Sequence, residues 1–181
     1  MKLNALGMIL CCSLLSACGT TRHPTDPLGD ALRARRLMVP VDGVAPNDVP
    51  DTFHAARDGG RRTHRASDIM APEGTRVVSA DDGQIFKIHD NHLGGHTIYA
   101  TDPTRQFIYY YAHLRDYRSG LEEGAQISRG TVLGYVGHTG NASASAPHLH
   151  FQVMEFTSPR WWDGRPIDAR PYLTTPGRAL H

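Results

Sequence analysis

The run His148-Leu149-His150-Phe151-Gln152-Val153 alternates polar and apolar residues over its whole length. In a strand, successive side chains point to opposite faces, so His148, His150 and Gln152 share one face while Leu149, Phe151 and Val153 can pack into a core. Two imidazoles one dipeptide step apart make a compact, nitrogen-rich patch. Phe107 to Leu114 repeats the period, and strict alternation groups Tyr109, Tyr111 and His113, which offers His113 to the same cleft. A third piece, His64-Arg65-Ala66-Ser67-Asp68, runs towards the turn around Pro72-Glu73-Gly74 and adds one nitrogen and one oxygen donor. Two neutral imidazoles and a carboxylate, with water in a fourth position, form the open tetrahedral set of a catalytic zinc rather than the closed set of a structural one. Zinc so held lowers the pKa of its water and polarises a carbonyl, allowing amide hydrolysis without a covalent enzyme intermediate. Histidines beyond the ligands can take the proton or stabilise the oxyanion. Spacing alone does not decide which histidines bind metal.

These residues need elements to carry them, and a chain of 181 residues offers one domain. Short apolar or alternating runs follow one another from Leu37: Arg76 to Ala80, Gln84 to His89, Thr97 to Ala100, Phe107 to Leu114, Thr131 to Val136 and His148 to Val153. Turn signals such as Asp81-Asp82-Gly83 and Asn91 to Gly95 separate them, which favours antiparallel pairing. The expected fold is mainly β: a single antiparallel, sandwich-like domain whose sheet floors a central groove walled by loops. Only Asp51 to Arg57 reads as a short helix. Ser143 and Ser145 lack an elbow motif, so a serine nucleophile is disfavoured. His92 and His96 flank Leu93-Gly94-Gly95, read as a plain hairpin tip in preference to a groove wall. Tyr109 and Tyr111 are expected to pack, and Trp161 and Trp162 to cover a core edge rather than form a lid.

The N-terminus reads as an address. Lys2 precedes an apolar stretch, Ala5 to Leu15, too short to span a bilayer. Leu15-Ser16-Ala17-Cys18 resembles the bacterial lipobox, which makes Cys18 the lipidated mature N-terminus and Gly19 consistent with the outer membrane, facing the periplasm. The expected divisions are a signal peptide over 1–17, a lipidated N-terminus and tether needing no fold over 18–36, the domain over 37–175 and a tail over 176–181. Of three cysteines, Cys11 and Cys12 leave with the leader and Cys18 is consumed by lipid, so any metal in the domain must be held by His, Asp or Glu. Formal net charge is +1, with Lys2 in the leader, which excludes an electrostatic footprint for nucleic acid.

In combination these motifs resemble the lysostaphin-like (LytM-type) zinc metallopeptidases, whose signature is H-x-x-x-D, a histidine in a Y-A-H strand, and H-L-H late in the domain. His64 to Asp68, Tyr111-Ala112-His113 and His148-Leu149-His150 stand in that order, and the likeness extends over about Val39 to Tyr172. The resemblance implies one zinc per chain on His64, Asp68 and His150, with His113 and His148 as catalytic histidines. It also implies peptidoglycan peptides as substrate; the lipobox adds a membrane anchor through Cys18, and a monomer is expected. One departure is Ala66, where the family often has Gly, and this matters only if that backbone needs positive φ. Some relatives have lost ligands and serve as non-catalytic activators of cell-wall amidases, and a peptidoglycan-binding lipoprotein without chemistry is a further alternative.

Overall fold

The computed structural model describes residues 26–175 apart from Trp161, so the leader, Cys18 and residues 176–181 lie outside the described residues. After a helix, α1 (Pro27–Arg35), come β1 (Leu37–Met38), β2 (Ala56–Arg57), β3 (Arg62–Thr63) and β4 (Ser67–Met70). The chain continues through β5 (Arg76–Val78), β6 (Gly83–Asn91), β7 (Gly95–Thr101) and β8 (Phe107–Tyr117). It ends with β9 (Gln126–Ile127), β10 (Val132–Val136), β11 (His148–Glu155), β12 (Arg165–Ile167) and β13 (Leu173–Thr174).

Nine strands form one sheet in the order β12-β11-β8-β7-β6-β9, with β4 on β11 and β10 pairing both β5 and β8. Every pairing within it is antiparallel. Two small additions flank it: a parallel β1–β13 pair and an antiparallel β2–β3 ribbon. One face is apolar, since Leu149, Phe151 and Val153 of β11 meet Tyr109 and Tyr111 of β8 and Ile69 of β4, all at most 1% exposed. The period-two reading of β11 holds, because His148, His150 and Gln152 alternate with these buried residues.

Two local expectations fail. Pro27–Arg35 is a helix, not unstructured tether: the Asp26 carboxylate accepts from Gly29 N at 3.0 Å as N-cap, Pro27 opens the first turn, and Leu32 is fully buried. Burying a leucine stabilises by about 1.5–3 kcal/mol. A buried carboxylate reinforces the attachment, as Asp81 accepts from Arg35 Nε at 2.5 Å, Arg129 Nη2 at 2.9 Å and the Tyr109 hydroxyl at 2.8 Å. The helix expected over Asp51 to Arg57 is absent; the segment runs as a strap ending in β2. Its polar groups go to the chain that follows β3, with His64 N donating to Ala55 O at 2.9 Å and Arg65 N to Phe53 O at 2.8 Å. Those long-range bonds outweigh a weak local propensity.

Candidate active site

Register brings the first donors together. His150 of β11 lies directly opposite Asp68 of β4 on one side and Ala112 of β8 on the other. Side chains directly opposite in such a pair share a face, about 4.5–5.5 Å apart at Cβ. Asp68 Oδ1 stands 3.1 Å from His150 Nδ1 and 2.9 Å from His64 Nε2, and the two nitrogens are 3.1 Å apart. His64 donates its Nδ1–H to the Thr52 carbonyl at 3.0 Å, which fixes the tautomer and leaves Nε2 as a lone-pair donor to the cluster. Donors on a tetrahedral zinc with bonds of about 2.0–2.1 Å sit about 3.3 Å from one another. The observed triangle needs only a few tenths of an ångström of expansion, so two imidazoles and a carboxylate fit such an ion in type and spacing.

His113 reaches the site by a different route from the one alternation suggests. Tyr109 and Tyr111 point into the core, where the Tyr111 hydroxyl accepts from Ala80 N at 3.0 Å. Strict alternation would bury His113 with them. Instead β8 carries an extra residue here: His96 pairs with Leu114 but Ile98 pairs with Tyr111, and His113 has φ +61°. Such a bulge re-aims a side chain, and a non-glycine residue in left-handed backbone marks a place where the surroundings hold a costly conformation. The His113 N–H donates to Gly94 O at 2.8 Å and its Nδ1–H to Thr139 O at 2.8 Å. His148 is held likewise, through Nδ1–H to Ala146 O at 2.8 Å. The His113 and His148 ring centroids are 5.0 Å apart, and His148 Nε2 lies 3.6 Å from Asp68 Oδ1. Both histidines thus keep Nε2 as the ring nitrogen for chemistry.

Burial pushes His113 down to about 4, outweighing the hydrogen bond to Thr139 that favours its charged form. Burial lowers His150 as well, against the pull of Asp68. For Asp68, burial acts to raise the pKa, but hydrogen bonds from His150 and His64 overcome it and hold the carboxyl well below the usual range. Neutral His113 and His150 and ionised Asp68 therefore suit metal binding or proton transfer near neutrality. A depressed histidine means that the unfolded chain binds more protons between the two pKa values. Stability of metal-free protein is expected to be flat above about pH 6.5 and to fall towards pH 4, with His113 contributing roughly 3 kcal/mol at most. Urea titrations across that range should show a shallower acid limb for His113→Gln; an unchanged limb would remove this assignment.

The groove around these residues holds about 440 Å³, floored by Tyr110, Ala112 and Gln152 and walled by Leu93 and the loop around Asn141. The Leu93-Gly94 hairpin tip is therefore a groove wall, contrary to the plain-tip expectation, whereas His92 and His96 line a neighbouring, more open hollow. Ala66 is buried and does not have positive φ; Arg65 does, at +61°, so alanine is tolerated. Ser143 and Ser145 hydroxyls bond to each other at 2.9 Å. Trp162 is 56% exposed rather than covering a core edge. Two contributors had no sequence signal: Tyr110, masked by its neighbours, and Arg57, whose Nη2 donates to Asp68 Oδ2 at 2.6 Å.

The profile of the family described as Peptidase family M23 matches residues 62–169. The chain is 30% identical over 131 residues to the peptidoglycan DD-endopeptidase ShyC of Vibrio cholerae, covering 71% of this chain and 29% of that protein. It is 32% identical over 120 residues to the L-Ala–D-Glu endopeptidase of Bacillus subtilis, covering 64% of this chain and 36% of that one. It thus spans about a third of the length of these relatives. Among solved structures, Helicobacter pylori Csd3 superposes with a TM-score of 0.59 at 26% identity, over 80% of this chain and 36% of that one. The catalytic domain of lysostaphin from Staphylococcus simulans gives 0.57 at 25% identity, over 70% of this chain and 93% of that one.

Proposed function

Because the chain belongs to peptidase family M23, we propose that it is a zinc-dependent endopeptidase hydrolysing stem or cross-link peptides of bacterial peptidoglycan. The observation that carries this reading is the 2.9–3.1 Å triangle of His64, Asp68 and His150 with His113 and His148 beside it. His64 Nε2, Asp68 Oδ1 and His150 Nδ1 would hold the ion. When bound, zinc supplies a Lewis acid and a means of activating water near neutral pH. His113 and His148 present Nε2 to accept the proton of the attacking water and, once protonated, to donate to the oxyanion or the leaving amine. Their Nδ1 tethers to Thr139 and Ala146 keep the rings oriented through that exchange. The extended peptide lies along the groove over Tyr110 and Gln152.

A filled set of five positions favours an enzyme over the amidase-activator or binding-lipoprotein readings, since those need no convergence of three donors. The relatives' names fit a peptide bond of the wall, and in a diderm envelope we place the cut between D-alanine and diaminopimelate. Digestion of purified sacculi, with released fragments weighed by mass spectrometry, tests both: fragments with newly exposed peptide ends are expected. Intact sacculi after incubation with a zinc-loaded protein would sink the enzyme reading.

We also propose that lipid on Cys18 anchors the protein at the outer membrane, with α1 (Pro27–Arg35) at the start of the domain. Among the described residues no helix is long and apolar enough to cross a membrane. Cys18→Ala is expected to move the protein from the membrane pellet to the supernatant; persistence in the pellet would contradict the anchor.

A further inference from the structure

Among the described residues, β4 pairs with β11 alone, so its other edge is left without a strand. The N–H and C=O groups on such an edge need other partners. The strap over 51–57 supplies them, and half-buried Thr52 does so with both its hydroxyl and its carbonyl. The hydroxyl donates to Ala66 O at 3.0 Å and accepts from Asp68 N at 3.2 Å, bridging two alternate residues along the edge. The carbonyl accepts from His64 Nδ1 at 3.0 Å and from Ala55 N at 3.0 Å, the second bond closing the strap into a turn. One residue outside the large sheet therefore touches the backbone of one member of the donor triangle and the ring of another. Main-chain bonds hold it in register: Arg65 N donates to Phe53 O at 2.8 Å and His64 N to Ala55 O at 2.9 Å, across a stretch where Arg65 has φ +61°. Because His64 Nε2 and Asp68 Oδ1 are only 2.9 Å apart, a small displacement of either segment would open the triangle.

We propose that Thr52 is a positioning residue of the metal centre: its hydroxyl fixes the backbone that carries Asp68, its carbonyl fixes the ring of His64, and together they set the affinity for zinc. It acts through those two residues and is neither a ligand nor an acid–base group. The inference rests on the reading of His64, Asp68 and His150 as the ligand set. A carbonyl is common to every residue, so the hydroxyl is what makes threonine matter at this position; serine keeps it, whereas valine keeps only the shape.

The test measures zinc affinity of the full chain in detergent by competition with a chromophoric chelator, with urea unfolding of the metal-free protein run beside it. Thr52→Val leaves Ala66 O and Asp68 N without their shared partner, and its zinc dissociation constant is expected to rise about tenfold, the lower end of the cost of losing an outer partner of a ligand. Thr52→Ser should bind zinc as the wild type does, and Thr52→Ala should match valine. If valine prevents folding, the serine and alanine variants make the same comparison. Wild-type affinity without the hydroxyl would overturn the role, and so would an equal loss in Thr52→Ser, which would trace the effect to the missing methyl group. Reduced stability of the metal-free variants with unchanged zinc affinity would overturn it as well, leaving a purely structural contact. A wild-type chain that binds no zinc would sink the ligand set itself, whereas zinc bound equally by the wild type and Thr52→Val would sink the positioning role alone.

Discussion

Asp68→Ala is expected to leave purified protein without stoichiometric zinc and without detectable release of peptides from sacculi. Asp68 is the hub of the cluster: Oδ1 is shared by His64 and His150, and Oδ2 takes Arg57. Its removal leaves two imidazoles, a set that no longer balances the ion's charge, and a guanidinium without its carboxylate. Loss of an outer partner of a ligand costs about 10–100-fold in metal affinity, and loss of a ligand itself should exceed that. His64→Ala and His150→Ala should behave alike, and chelation of the wild type should reproduce them reversibly. The fold is expected to persist, because Leu149, Phe151 and Val153 are buried on the opposite face of β11. Metal analysis and sacculus digestion decide the matter, and one zinc per chain in Asp68→Ala would remove the assigned ligand set.

His113→Ala and His148→Ala should give the complementary result: full zinc occupancy with turnover lowered by about 10²–10⁴-fold, the usual worth of a positioned acid or base. His113 needs a control, because its φ of +61° makes alanine strained there for reasons unrelated to proton transfer. His113→Gly relieves that strain, so it should be at least as stable as His113→Ala and equally inactive. Recovery of activity in the glycine variant would show that backbone geometry, not the imidazole, was being measured. Loss of metal in His113→Ala together with its retention in His150→Ala would reverse the roles given to these two residues.

What the sequence made legible was whatever depends on local period. The alternation of β11 identified its polar face, with His148 and His150 on it, because a strand half-buried against a core leaves that imprint directly. His113 was found for a reason the structure does not support: its placement needs a bulge set by pairing with β7, which no stretch of β8 announces. The same gap explains Tyr110, on the groove face beside two buried tyrosines. Helix α1 escaped because Leu28 and Leu32 give it only a narrow apolar stripe among charged residues. Arg57 could not be read at all, since its partner lies on another strand and nothing about an arginine near a turn predicts which carboxylate it will meet. The division of histidines into ligands and acid–base groups came from the family resemblance, and the triangle of donors is compatible with it.

Three of the four imidazoles are steadied by main-chain oxygens, those of Thr52, Thr139 and Ala146. Every amino acid brings that atom, so for this duty the identity of those three positions is immaterial. A scan of side-chain replacements would pass over Ala146, whereas Thr52 and Thr139 also spend their hydroxyls, Thr52 Oγ1 accepting from Asp68 N at 3.2 Å and Thr139 Oγ1 donating to Leu114 O at 2.6 Å. At Ala146 a change that displaces the peptide plane itself, such as an inserted or deleted residue in the 139–146 loop, would reveal how much of the centre hangs on it.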